Sequence, residues 1–172
     1  MASKRSTRVQ LYRTASHPTR KVTLPLVDGR VRNSRDIAAV ARAVWGGYPV
    51  EESGLVIVLD YGEPDRGRNG GARVIGAEEV GRGDPDSTAI HHIAVVRLAI
   101  ALGATQFAIV HSHPVGIGQE RPSRQDEDMT HELASMARSL DMRLVDHVVV
   151  SGERHFSFRD ARKAIAWTDG EL

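Results

Sequence analysis

The stretch HSHPVGIGQERPSRQD, residues 111–126, concentrates side chains suited to chemistry. His111 and His113 stand two apart at the end of the apolar run 106–110. Strand side chains alternate between faces, so both imidazoles point the same way and can grip one ion. Pro114 ends the strand and stiffens its exit. Ser123 and Asp126 have the S-x-x-D spacing of a helix start, where Ser123 caps and Asp126 reaches back from the first turn. Such a helix start holds a carboxylate firmly beside the strand end. Two histidines and one carboxylate leave a fourth tetrahedral position open, which distinguishes a catalytic zinc from a structural one. A zinc ion there lowers the pKa of a bound water and polarises a carbonyl. Hydrolysis of an amide also needs a group that takes the water's proton and passes it to the leaving amine, a task for a nearby carboxylate. Glu51 and Glu52 both sit just ahead of the apolar run 55–59, and the residues leave the choice between them open.

Taken singly, paired histidines, a nearby aspartate and an S-x-x-D cap are ordinary structural features. In the order strand, HxHP, loop, SxxD, helix they form a specific combination. The chain has no cysteine, which excludes disulfides, thiolate metal sites and a cysteine nucleophile. A zinc deaminase is excluded too, because its PCxxC half requires cysteines. An iron oxygenase also uses two histidines and a carboxylate, but in the order HxD…H rather than the HxH…D found here.

The elements that must position these groups follow from the hydrophobic pattern. The 172 residues suit one α/β domain with a mostly buried central sheet. Residues 1–20 read as irregular, and 22–31 as a hairpin around Asp28-Gly29. Ser34 is the expected cap of a helix running to Trp45, with Ile37, Val40, Ala41 and Val44 on one face and Gly46-Gly47 as its stop. The β-branched run 55–59 predicts a strand buried on both faces. Residues 73–80 predict the next strand, after a long loop at 62–71 rich in Gly, Arg and Asn. A helix capped by Ser87 or Thr88 and ending at Leu102 is apolar nearly all round, so it is expected to be buried. Residues 106–110 form the strand that carries His111. Ser123 opens a helix to Leu140, residues 143–150 and 155–158 pair around Ser151-Gly152, and a short helix follows Arg159.

Here the sequence resembles the JAMM (JAB/MPN) zinc metallopeptidases, most closely the RadC-like family. The resemblance runs from about Glu52 to Arg159. It rests on an acidic residue ahead of a strand ending in Asp60, EEVGRG at 78–83, a histidine-bearing helix from His91, AIVHSHPVG at 108–116 and LVDHVVVSGERHFSFRD at 144–160. It implies a single three-layer domain, a mixed sheet flanked by helices as in cytidine deaminase, over residues 21–172. It also implies His111, His113 and Asp126 as zinc ligands, Glu52 rather than Glu51 as general base, and Ser123 as a stabiliser of the tetrahedral oxyanion. The implied substrate is a protein or peptide, with cleavage of ubiquitin-like conjugates (an isopeptidase activity) among the family's reactions. Two loops, 62–71 and the one between Pro114 and Ser123, are longer than is usual in the family. The helix-hairpin-helix region that precedes the domain in typical RadC proteins is not recognisable, so the resemblance gives no reason to expect DNA binding.

Charge is uneven. Lys4, Arg5, Arg8, Arg13, Arg20, Lys21, Arg30, Arg32 and Arg35 face a single acid, Asp28, within the first 35 residues. That pattern fits a flexible basic arm over 1–20, dispensable for hydrolysis, or a nucleic-acid contact; the arm is favoured because only Tyr12 could stack on bases. No secretory signal or membrane span is visible, so a cytoplasmic protein is the default. Asp146 and His147 fall on opposite faces of a strand and do not form a catalytic pair. Either His91 or His92 can lie near the site, and both read first as helix-start hydrogen-bonding residues. Trp45 and Trp167 read as packing residues, and His17, His131 and His155 have no identified partners.

Overall fold

A computed structural model describes residues 7–14, 17–26, 28–49, 51–60, 70–82, 92–115 and 120–161. Its strands are β1 (Thr7–Thr14), β2 (His17–Leu24), β3 (Arg30–Val31), β4 (Ser53–Asp60), β5 (Ala72–Arg82), β6 (Gln106–Ser112), β7 (Arg143–Ser151) and β8 (Arg154–Ser157). Its helices are α1 (Ser34–Trp45), α2 (His92–Ala101) and α3 (Arg124–Ser139). The eight strands make one mixed sheet in the order β2-β1-β5-β4-β6-β7-β8, with β3 pairing the start of β5. β4, the β-branched run, lies at the centre and pairs antiparallel with both β5 and β6.

Alternation divides the sheet's side chains between two layers. Leu55, Ile57 and Leu59 of β4 join Ala108 and Val110 of β6 under α1. Val56 and Val58 join Phe107 and Ile109 under α2 and α3. Helices thus cover both faces of the sheet, the three-layer α/β arrangement expected. β7 breaks its alternation once. Opposite Phe107 and Ile109, two residues apart on β6, stand Leu144 and His147, three apart on β7. This bulge places one extra residue in β7 and re-aims the side chains that follow. Val145 and Val148 therefore share the α1 layer, while Val149 joins Leu144 in the other.

Several expectations need correction. The segment 1–20 is not irregular from Thr7 onward: β1 pairs antiparallel with β2 and parallel with β5. Val9, Leu11, Val22 and Leu24 are buried in the α1 layer, so apolar alternation beneath the basic residues has built this segment into the sheet. The hairpin partners are consequently β1 and β2, not two halves of 22–31. Asp28-Gly29 does turn, with φ of 59° and 67°, but it leads into β3, which pairs with β5. Asn33, not Ser34, caps α1, its side chain accepting from the Asp36 N–H at 3.1 Å. Ser34 is instead the first helical residue, buried against His155 (3.2 Å) and Asp160 (2.5 Å). Gly46 ends the helix at φ 74°, as expected of an αL stop. α2 is only half covered. Val95, Val96, Leu98 and Ala99 meet the sheet, while Ile93 and Ile100 are 68% and 62% exposed. Apolarity all round the helix does not by itself supply a second neighbour.

The expected cap at Ser87 or Thr88, most of the 62–71 loop, the terminal helix, His91, Trp167 and the side chain of His17 lie outside the described residues. Among the described residues no helix is long and apolar enough to cross a membrane.

Two outcomes follow. Deleting residues 1–20 should abolish or strongly weaken cooperative unfolding, and Leu11→Ala alone should cost about 2–5 kcal/mol; an unchanged thermal transition after deletion would show that the hairpin is not part of the core. Asp146, bonded to the Ser157 hydroxyl at 2.6 Å and the Arg159 N–H at 3.1 Å, is 1% exposed, and burial raises its carboxyl from 3.8 to about 7. A raised carboxyl holds its proton more tightly when folded, so its contribution falls as pH climbs from about 4 to about 7 and then levels off. Asp146→Asn should remove that slope, which urea unfolding across this pH range measures directly.

Candidate metal centre

β6 carries the site. Phe107 and Ile109 face the α2–α3 layer, so His111, next in the alternation, faces it too, with His113 beside it just past the strand end. The two rings meet edge to face with centroids 4.7 Å apart. The exit is pinned to β7: the His113 N–H donates to the Val150 carbonyl at 2.9 Å, and the Ser151 hydroxyl donates to the Pro114 carbonyl at 2.7 Å.

Ser112, between the histidines, turns to the opposite face. Its hydroxyl oxygen accepts the Ser53 N–H at 2.8 Å and its O–H donates to the Glu51 carbonyl at 3.2 Å. The backbone on both sides of Glu52 is thereby tied to β6. Glu52 Oε2 lies 3.6 Å from His111 Nε2, whereas Glu51 is exposed. Of the two glutamates the sequence leaves open, Glu52 is the one beside the histidines.

α3 brings the third group. Ser123 and Asp126 make the expected capping box. The Asp126 N–H donates to Ser123 Oγ at 3.1 Å, and the Ser123 N–H and O–H both donate to Asp126 Oδ2 at 2.7 Å. The Ser123 proton is thus engaged by Asp126. Asp126 is only 3% exposed. Burial pushes its carboxyl up, but His111 (Nδ1 to Oδ1, 2.8 Å), His113 (Nε2 to Oδ2, 3.6 Å) and Ser123 outweigh burial and hold it well below the usual carboxylate range. An ionised carboxylate only accepts, so His111 carries a proton on Nδ1. The other ring nitrogen, Nε2, is turned toward Glu52. It is buried and has no hydrogen-bond partner among the described residues.

One turn further along α3, the Thr130 hydroxyl donates to the Asp126 carbonyl and lies 2.6 Å from His147 Nδ1. His147 is fully buried and stacks on Phe158, with centroids 4.7 Å apart and planes within 2°. Burial pushes its imidazole down to about 3, with His111 adding in the same direction, so the ring is neutral near pH 7.

Among the described residues, two groups of three bring metal-ligating atoms within 4.8 Å of one another: Glu52, His111 and His113, and His111, Asp126 and His147. The set expected from the sequence, His111, His113 and Asp126, straddles both, with His111 common to the two. Nitrogen and carboxylate donors without sulfur suit zinc or another first-row divalent metal. His111 Nε2, buried and without a hydrogen bond among the described residues, is the kind of atom that a site built for an ion presents.

Sequence reasoning missed Ser112, Thr130 and, as a neighbour of the site, His147. Thr130 had a signal in its i+4 spacing from Asp126. His147 had none, because the β7 bulge decides which face it takes. Elsewhere, His92 pairs with Glu132 of α3 at 3.7 Å rather than joining the centre, His131 is exposed, and Trp45 packs against the α1 layer.

Sheet, helices and centre together have the form of a JAB/MPN domain. Residues 32–164 match the family described as the RadC-like JAB domain, and the chain belongs to that family. Similar curated proteins include a UPF0758 protein of Thioalkalivibrio sulfidiphilus, 41% identical over 88 residues, which are 51% of this chain and 38% of that protein. Another is a UPF0758 protein of Thiobacillus denitrificans, 34% identical over 89 residues, 52% of this chain and 39% of that protein. The chain thus covers under two fifths of the length of these relatives.

Ser112→Ala leaves the buried Ser53 N–H without its acceptor and should cost about 1–3 kcal/mol in denaturant unfolding. A variant as stable as the parent would mean that Glu52 is held by other contacts.

Proposed function

We propose that the chain is a zinc-dependent metallopeptidase or isopeptidase that hydrolyses an amide bond in a protein or peptide, a ubiquitin-like conjugate being the substrate type the family suggests. The observation that carries this reading is Glu52, a partly exposed carboxylate, grouped within 4.8 Å of two histidine nitrogens at the end of a buried strand.

In this reading His111, His113 and Asp126 hold the ion. When bound there, zinc supplies a Lewis acid that acidifies water and polarises the scissile carbonyl. Glu52 takes the proton of the attacking water on its carboxylate and delivers it to the leaving amine. Ser123 stands at the helix start, and its hydroxyl serves the developing oxyanion once it is released from Asp126 Oδ2. Ser112 keeps Glu52 in place through its backbone. A nucleic-acid role for the basic N-terminal segment rests on charge alone.

The purified protein should hold about one zinc per chain and lose it in His111→Ala. Glu52→Gln should keep the zinc and lose turnover by roughly 10²–10⁴-fold on a peptide or isopeptide substrate, because glutamine fills the same space but cannot accept a proton. Glu51→Gln should do little. Hydrolysis that survives Glu52→Gln at parental rate would remove Glu52 from the chemistry.

A further inference from the structure

The centre has a buried back wall that the proposed reaction does not use. Thr130 donates its one hydroxyl proton to the Asp126 carbonyl. The short contact between Thr130 Oγ1 and His147 Nδ1 must therefore be a donation from Nδ1–H to the threonine oxygen. In a neutral imidazole only one nitrogen carries hydrogen, which leaves His147 Nε2 as a lone pair. That atom is fully buried and has no hydrogen-bond partner among the described residues. An unsatisfied buried acceptor is destabilising, so its retention calls for an occupant. His111 Nε2 is likewise buried and without a hydrogen-bond partner among the described residues, and both rings belong to the group His111, Asp126 and His147, whose members are all buried.

We propose that His147 is a metal ligand: with His111 and Asp126 it forms an inner, buried position for a divalent transition-metal ion, behind the outer, solvent-reaching position at which His113 joins the same two residues. The inference rests on reading the centre as a metal site and adds a second place for the ion within it. Two imidazoles and one carboxylate are a donor set that accepts zinc, cobalt or nickel. The Thr130 contact fixes which nitrogen of His147 is free, and the stack on Phe158 fixes the plane of the ring, as outer contacts do for histidine ligands generally. An ion in the inner position makes no bond to Glu52 or His113 and is shut off from solvent. An ion in the outer position keeps a face toward substrate. Sharing His111 and Asp126 makes the two positions alternatives, so the inner one stores metal in a form that cannot act on an amide.

The test uses the intact chain with zinc ions alone. In protein labelled with 15N-histidine, the metal-free His147 should show a proton on Nδ1 and none on Nε2, and zinc should shift the Nε2 resonance. Competition with a chromophoric chelator then separates the two positions. His113→Ala should still bind zinc stoichiometrically, and His147→Phe, which keeps an aromatic ring against Phe158, should weaken binding in that background by roughly tenfold or more. Zinc bound by the parent with the His147 resonances unmoved, and His113→Ala as defective as His111→Ala, would overturn the inner position while leaving the outer one standing. A parent that binds no zinc would overturn both.

Discussion

An ionised carboxylate held almost out of reach of water is the constraint on which the remaining architecture depends. Asp126 stays charged because two imidazoles and a hydroxyl converge on it, and each comes from a different kind of backbone. His111 is the penultimate residue of a buried strand, His113 is the first residue beyond it, and Ser123 is the cap of a helix. None can drift independently. Moving α3 along its axis would part Asp126 from His111 and His113, and sliding β6 by one residue would send His111 to the α1 layer. Buried charge is normally a cost, met only when partners are preorganised around it. Here the partners are also the groups best able to hold an ion, so one arrangement satisfies the fold and poises the centre.

The sheet supplies the stiffness this requires. β4 and β6 are the inner strands nearest the site, and their facing residues are buried on both sides with little freedom to repack. Glu52 lies at the very edge of that rigid zone, one residue before β4, where its backbone is held by Ser112 and its side chain still reaches solvent. The proton exchange proposed for Glu52 suits such a boundary, because a fully enclosed carboxylate could not return to its starting state by way of water.

Much of this was legible in the sequence because the relevant signals are local. The alternation in 106–111, the S-x-x-D spacing and the glycine stop after Trp45 each involve few residues, and each gave the right element. What escaped depends on partners distant in sequence. The β1–β2 hairpin was hidden beneath a conspicuous run of basic residues, although Val9, Leu11, Val22 and Leu24 alternate as strand residues do. Whether α2 would be covered on one side or two is decided by what packs there, not by its composition. The choice between Asn33 and Ser34 as cap turned on Asp36, since Ser34 is drawn instead to His155 and Asp160 from the far end of the chain. The site showed the same division: the HxHP and SxxD segments and the elements that carry them could be read directly, whereas Thr130 and His147 meet only because α3 lies across β7.

The extra residue in β7 has a consequence for any comparison of this chain with another by hydrophobic pattern. Upstream of the bulge the even-numbered residue Leu144 faces α3; downstream it is the odd-numbered Val149 that does so. Parity therefore changes sign partway along a single strand. A relative lacking that one residue would keep both halves of β7 in their layers while appearing, position by position, to have exchanged inside for outside. A one-residue gap at this point is an inversion of faces written in the sequence, and ignoring it would assign His147 to the wrong side of the sheet.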